Sequence, residues 1–159
     1  LQLWRSPRAE FARIAQAVQA DLGRVGVKVE IVERDASTAR AAARKGDADL
    51  FLSDWWADYP DGENFTFPLF HSSNAGTGGN YAFLKRPGLD SMLVTARGTP
   101  DSTAKAALLR RIDQAVFDDA PWIFCWFPTD LWARQPSITG WSYPVVFTGQ
   151  RWATVKEVR

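Results

Sequence analysis

VKVEIVERDASTARAAARKGDADLFLS, Val27 to Ser53, is the stretch on which the fold turns. Val27, Val29 and Ile31 alternate with Lys28 and Glu30, the period of two expected of a strand with one covered face. Ser37 or Thr38 can cap the alanine-rich helix that runs to about Lys45. Gly46 then stops it, because the left-handed backbone that ends many helices costs glycine little. Ala48 to Ser53 is a compact apolar run between turn-forming residues, as in a buried strand. Strand, helix and strand in this order favour parallel pairing through a right-handed crossover.

The pattern extends upstream. Leu1 to Trp4 is short and apolar, and Pro7 follows closely. From Arg8 to Arg24 the residues Phe11, Ile14, Ala15, Val18 and Leu22 recur at spacings of three and four, which predicts an amphipathic helix ending near Gly23 and Gly26. Leu1 to Trp4, Val27 to Val32 and Ala48 to Ser53 should therefore be neighbouring, largely parallel strands of one sheet covered by that helix. The expected class is an α/β domain, a mixed and mostly parallel sheet flanked by helices, occupying residues 1–159 as one unit.

Downstream, Trp55 to Asn80 shows no sustained period and reads as loop, with one or two helical turns near Asn64 to Phe70. Loops that follow the strands of an open α/β sheet commonly hold ligands. Gly76 to Gly79 lacks the lysine and spacing of a phosphate loop and reads as a mobile tip. Pro87 to Arg97 suits a helix with Leu89, Met92, Leu93 and Ala96 on one side. Thr99 and Pro100 suit the cap and first position of another helix, running to about Asp119 with Leu108, Ile112, Ala115 and Val116 inward. Asp118 and Asp119 stand at its unfavourable dipole end and should find partners elsewhere or solvent. Pro121 stops the helix. Trp122 to Ala133 is aromatic and β-prone, broken at Pro128, and Gly140 to Arg159 reads as strands and loops. Cys125, the single cysteine, should be inert core within an apolar strand.

Composition narrows the function classes. Of 159 residues, 46% are hydrophobic and 23% charged, and the net charge of +1 arises from scattered rather than clustered cations. That argues against a nucleic-acid surface, which needs a basic stripe. No apolar run nears the roughly 18 residues of a membrane span. Eight tryptophans are many for this length, and Trp is used where ligands stack or interfaces bury. The chain starts at Leu1 with neither Met nor a signal-like segment, and reads as part of a longer protein.

Asp49 to Phe70, DLFLSDWWADYPDGENFTFPLF, resembles the central signature of the dipeptide- and oligopeptide-binding class (family 5) of extracytoplasmic solute-binding proteins of ABC transporters. Arg13 to Glu30 is similar to that family's helix and following strand, Arg86 to Leu93 to its Asn-Pro-x-Leu-Asp helix start, and Asp118 to Pro121 to its late helix-to-strand junction. The resemblance implies a type II periplasmic-binding lobe, the C-terminal one of two that enclose a ligand, with the first lobe absent here. It implies as partners a peptide or other small solute, the missing N-terminal lobe and the permease subunits, in a periplasmic or extracytoplasmic location, with no cofactor, no metal and no catalytic residue. By the resemblance, Asp58 would pair with a peptide's α-ammonium, and Asn80 and Tyr81 would lie on a segment approaching the ligand. Trp55 would form a flat wall against it; Trp56, also a candidate ligand contact, points oppositely if the strand continues, so one of the two should be buried and the other near the cleft. Gly62 stands where the family usually has Pro, which would loosen the loop, and Arg86 where it often has Asn, which weakens a helix cap and adds a charge. Asp61 is expected to fix the turn with Gly62 and Asn64.

Other chemistries are conceivable for the same residues. Asp54, Asp58, Asp61 and Glu63 among aromatics could suit a carbohydrate-active enzyme or sugar-binding module, given two carboxyls across a sugar ring. They could equally suggest a calcium loop, although its 12-residue pattern is missing. His71, Ser72 and an Asp could be drawn as a triad, without a nucleophile-elbow motif. Each carboxylate could also simply cap a turn, and each Trp could simply pack in a core.

Overall fold

The computed structural model describes residues 1–129, 131, 133–143, 146 and 152–158. β1 (Gln2–Arg5), α1 (Ala9–Arg24), β2 (Glu30–Glu33), α2 (Ala36–Lys45) and β3 (Leu50–Phe51) follow in the expected order. The three strands form one sheet in the order β2-β1-β3, and both pairings are parallel. Leu3 stands opposite Ile31 on one side and Leu50 on the other. Leu3, Ala15 and Val29 bury together, with Val18, Leu22, Ile31 and Leu50 packed around them, so the apolar stripe of α1 covers the sheet.

Helix boundaries follow local capping chemistry. Asp35, not Ser37 or Thr38, caps α2: its carboxylate accepts from the backbone N–H of both. Hydrogen bonds from Ser37 and then Thr38 hold that carboxyl far below the usual carboxylate range. An acid one turn earlier satisfies the first free amides better than a hydroxyl already inside the helix. Gly46 ends α2 at φ 78°.

A second core lies beyond the sheet. α3 (Phe67–Phe70), α4 (Pro87–Gly98) and α5 (Ser102–Asp119) bury Leu69, Phe70, Leu89, Leu93, Ala96, Ile112 and Val116 against one another. Asp101 caps α5 through the Ala104 amide, whereas Thr99 closes α4, its hydroxyl donating to the Thr95 carbonyl. The expected start at Thr99 and Pro100 is thus moved, because Asp101 is again the stronger cap. Arg86 opens α4 with no side-chain cap, and its guanidinium forms a two-pronged pair with Asp119 at 2.9 and 3.0 Å. That is the partner expected for an acid at a helix C-terminus.

Trp122 to Phe127 departs from the sequence reading. The segment forms no strand, and Cys125 is exposed rather than buried. A strand requires a neighbour's backbone, and the sheet ends at β3, which pairs through only two residues. Trp122 still covers Phe70 at 4.8 Å between rings, and Trp126 meets Phe11 edge-on at 6.5 Å. Ile123, Phe124, Phe127 and Leu131 face outward. β4 (Ile138–Thr139) and β5 (Lys156–Glu157) form an antiparallel pair near the end of the chain. Of the strands and loops expected over Gly140 to Arg159, β5 is seen, and 144, 145, 147–151 and 159 lie outside the described residues.

The Gly76 to Gly79 segment is packed, not a loose tip. Gly78 donates to the Asn74 carbonyl at 2.9 Å, and a Cβ on Gly76 would stand 2.7 Å from the Arg44 carbonyl oxygen. Gly76 also sits at φ 72°, where side chains are strained. Gly76→Ala is therefore expected to cost about 1–3 kcal/mol, readable as an earlier urea midpoint with an unchanged slope. An unchanged midpoint would mean that this segment does not hold its observed conformation.

Candidate functional site

Parallel strands place their carboxyl ends on one side, and the long loop leaves from that side after β3. Arg8, after β1, meets Asp54, after β3, at 2.7 Å, so the segments leaving the two strands are tied together. Beyond Asp54 the loop carries Trp55, Trp56, Asp58 and Tyr59 and closes in a 3-10 turn over Gly62–Phe65.

Local chemistry shapes the turn as expected for Asp61. Its carboxylate accepts from the Glu63 amide at 2.9 Å and pairs with Lys105 of α5. Lys105, and then the Glu63 amide, hold the Asp61 carboxyl below its usual range. Gly62 faces α5 so closely that a Cβ there would lie 2.9 Å from Leu109 Cδ1. The residue expected to loosen the loop is instead a contact point between loop and helix.

Asn64, 1% exposed, lies beneath the loop. Its Oδ1 accepts from the Trp55 indole N–H at 3.1 Å and from the Asp58 backbone N–H at 2.9 Å. Glu63, 4% exposed, accepts from the Tyr59 hydroxyl and pairs with Arg97 of α4 at 3.3 Å. Burial pushes the Tyr59 hydroxyl above its ordinary range; the Asn64 side chain opposes that rise and Glu63 adds to it. Arg97 also lies over the Phe67 ring at 4.3 Å, a favourable cation–π geometry. The network of Tyr59, Glu63 and Arg97 escaped the sequence reading, since 34 residues separate the acid from its arginine. The one signal was an acid inside an apolar, aromatic stretch, where a lone buried charge would be costly.

Each expected site residue has a definite place. Asp58 projects an exposed carboxylate, and among the described residues only its backbone is hydrogen-bonded. Trp55 is half-buried against the α3–α4–α5 core. Trp56 is 41% exposed and stacks on Tyr143 at 6.5 Å. Tyr81 is half-buried and meets Phe51 of β3 edge-on at 5.4 Å. Asn80 is 0% exposed: its amide donates to the His71 and Leu84 carbonyls, and its Oδ1 accepts from the Leu84 N–H. Its side chain thus joins two loop segments and offers no atom to the surface. Gly79, beside it, lies close enough to Trp55 that a Cβ would be 3.4 Å from the indole. Trp55 thus lies beside Gly79 and shares the Asn64 oxygen with the Asp58 backbone, while Trp56 is the more exposed of the two indoles.

The alternative chemistries need constellations that the described residues do not assemble. Asp54 is held by Arg8, Asp61 by Lys105, and Glu63 by Tyr59 and Arg97. One unengaged carboxylate, Asp58, remains of the four, whereas glycoside hydrolysis needs two facing the sugar. His71 meets Ser73 at 2.8 Å while Asp90 accepts from Ser72, so no Ser–His–Asp chain forms. Among the described residues no group of three His, Cys, Asp or Glu side chains could hold a metal.

Residues 2–77 match the family model of the bacterial extracellular solute-binding proteins, family 5 (middle region). Over these residues the chain carries that family's middle region. The glutathione-binding protein GsiB of Pectobacterium atrosepticum is 31% identical over 146 residues, 87% of this chain and 28% of that protein. The probable D,D-dipeptide-binding periplasmic protein DdpA of Escherichia coli is 27% identical over 82% of this chain and 25% of its own length. The chain also superimposes, at a TM-score of 0.71 and 27% identity, on a dipeptide-binding protein of Pseudoalteromonas sp. SM9913 solved with Met-Leu, covering 76% of this chain and 25% of that one. The fold is that of a type II periplasmic binding protein. The chain spans about a quarter of the length of these relatives.

Proposed function

We propose that this chain is the C-terminal lobe of a non-catalytic solute-binding protein that encloses a short peptide between two lobes and delivers it to an ABC importer. The observation that carries this reading is Asp58: an exposed carboxylate on a loop whose other acids are already engaged. A free ammonium is the natural partner of such a group, since an enclosed cation needs a carboxylate to replace its water. In this reading Trp55 and Tyr81 add aromatic contacts near the ligand, and Asn80, which is buried, braces the segment that carries Tyr81. The relatives named for peptides and glutathione support the ligand class, and their periplasmic members support an extracytoplasmic location with permease subunits as partners. Among the described residues no helix is long and apolar enough to cross a membrane.

A one-sided surface cannot desolvate a small molecule as an enclosing pocket does. This chain alone should therefore bind trialanine only weakly, in roughly the millimolar range, while the full-length protein binds at least a hundredfold tighter. Isothermal calorimetry on both would check it. Micromolar affinity for this chain alone would show a complete site and sink the two-lobe reading. A full-length protein that hydrolysed the peptide would sink the non-catalytic one.

A further inference from the structure

We infer that Asn64 is the positioning residue of the ligand surface: one buried amide oxygen sets the orientation of both Trp55 and Asp58. The inference rests on the peptide-binding reading for its effect on affinity, but not for its effect on the loop. Asn64 Oδ1 accepts two hydrogen bonds, from the Trp55 indole at 3.1 Å and the Asp58 backbone at 2.9 Å. Those two donors lie three residues apart on an otherwise irregular segment. Sharing one acceptor fixes the indole relative to the backbone that carries the Asp58 carboxylate. At 1% exposure Asn64 cannot itself be reached by a ligand.

The amide is in turn anchored from outside the loop. Its own turn is held to α5 by the Asp61–Lys105 pair and to α4 by the Glu63–Arg97 pair. The Asn64 backbone N–H donates to the Asp61 carbonyl at 3.0 Å. The α4–α5 pair thus sets the turn, the turn sets Asn64, and Asn64 sets the surface. A surface held in its binding conformation before the ligand arrives loses less freedom on binding. Loss of the amide would release both groups and leave two donors without a partner.

The experiment uses hydrogen exchange followed by NMR, with trialanine binding to the full-length protein as a second readout. In the unaltered protein the Asp58 amide and the Trp55 indole N–H should both be protected at least about tenfold over unstructured rates, and should slow or quicken together. Asn64→Leu should abolish both protections and weaken trialanine binding roughly tenfold, by the loss of about one shared hydrogen-bonding group. Asn64→Asp keeps an acceptor oxygen at the same place and should restore both protections and most of the affinity. Should Asn64→Leu fail to fold, the unaltered protein and Asn64→Asp still decide the matter. An Asp58 amide exchanging at the unstructured rate in the unaltered protein would overturn the inference. So would protection that survives Asn64→Leu, or affinity that stays unchanged while protection is lost. Absence of trialanine binding to the unaltered protein would overturn the peptide reading instead, leaving the exchange rates to judge Asn64.

Discussion

Asp58→Asn in the full-length protein should weaken peptide binding by two to four decades while leaving the ligand-free melting temperature almost unchanged. The substitution keeps the shape of the side chain and removes its charge. In a closed site the peptide's α-ammonium would then be enclosed without its counter-charge, and breaking an enclosed ion pair from one side costs about 3–5 kcal/mol. Stability should change little, because the carboxylate is exposed and supports nothing among the described residues; the loop is held through the Asp58 backbone. Calorimetry with trialanine and a thermal melt without it separate the two effects. Normal binding by the variant would remove the anchor role. A much earlier melt without ligand would make Asp58 a turn-capping residue. Were the solute a sugar, the same residue would accept from hydroxyls, and the loss would be smaller.

Leu93→Ala should do the reverse. Leu93 is fully buried where α3, α4 and α5 meet, among Leu69, Phe70, Leu89 and Ile112. Removing its branched end takes away buried methyl groups and leaves a cavity that helices pinned by several neighbours cannot close, at a cost of about 2–5 kcal/mol. In urea the midpoint should fall with the slope unchanged. The folded fraction should retain most of the peptide affinity of the unaltered protein, because the Asp61–Lys105 and Glu63–Arg97 pairs that hold the turn to α5 and α4 are left in place. A loss below about 1 kcal/mol would mean that this core repacks. A large loss of affinity in the folded fraction would mean that the α4–α5 packing tunes the ligand surface directly.

The parallel sheet is legible in the amino-acid pattern. Alternation over Val27 to Ile31 and the helical spacing from Phe11 to Leu22 leave one sensible arrangement, since each apolar face must be buried against another. The observed β2-β1-β3 order and the covering α1 follow from it. The pattern fails where an element depends on a neighbour it cannot name. Trp122 to Phe127 has the composition of a strand, but a strand needs an unpaired edge of sufficient length, and β3 pairs through two residues only. The Gly76 to Gly79 stretch has the composition of a loose tip, yet Arg44 of α2 comes within contact of it from more than 30 positions away.

The site divides along the same line. Residue order is enough for the fold class, for the loop proposed to carry the ligand surface and for the residue types on that loop: acids and aromatics following a buried strand. Short-range chemistry suffices there, because strand period, helix period and Asp-initiated turns involve residues within a few positions of one another. Which acids are free is settled by packing in three dimensions. Asp54, Asp61 and Glu63 look interchangeable with Asp58 along the chain, and each is taken by a cation from another element: Arg8, Lys105 and Arg97. Asn80 is likewise turned from a surface group into a buried brace by carbonyls at His71 and Leu84. A side chain's availability depends on what packs over it, and that is a property of through-space distance, which spacing in sequence does not encode.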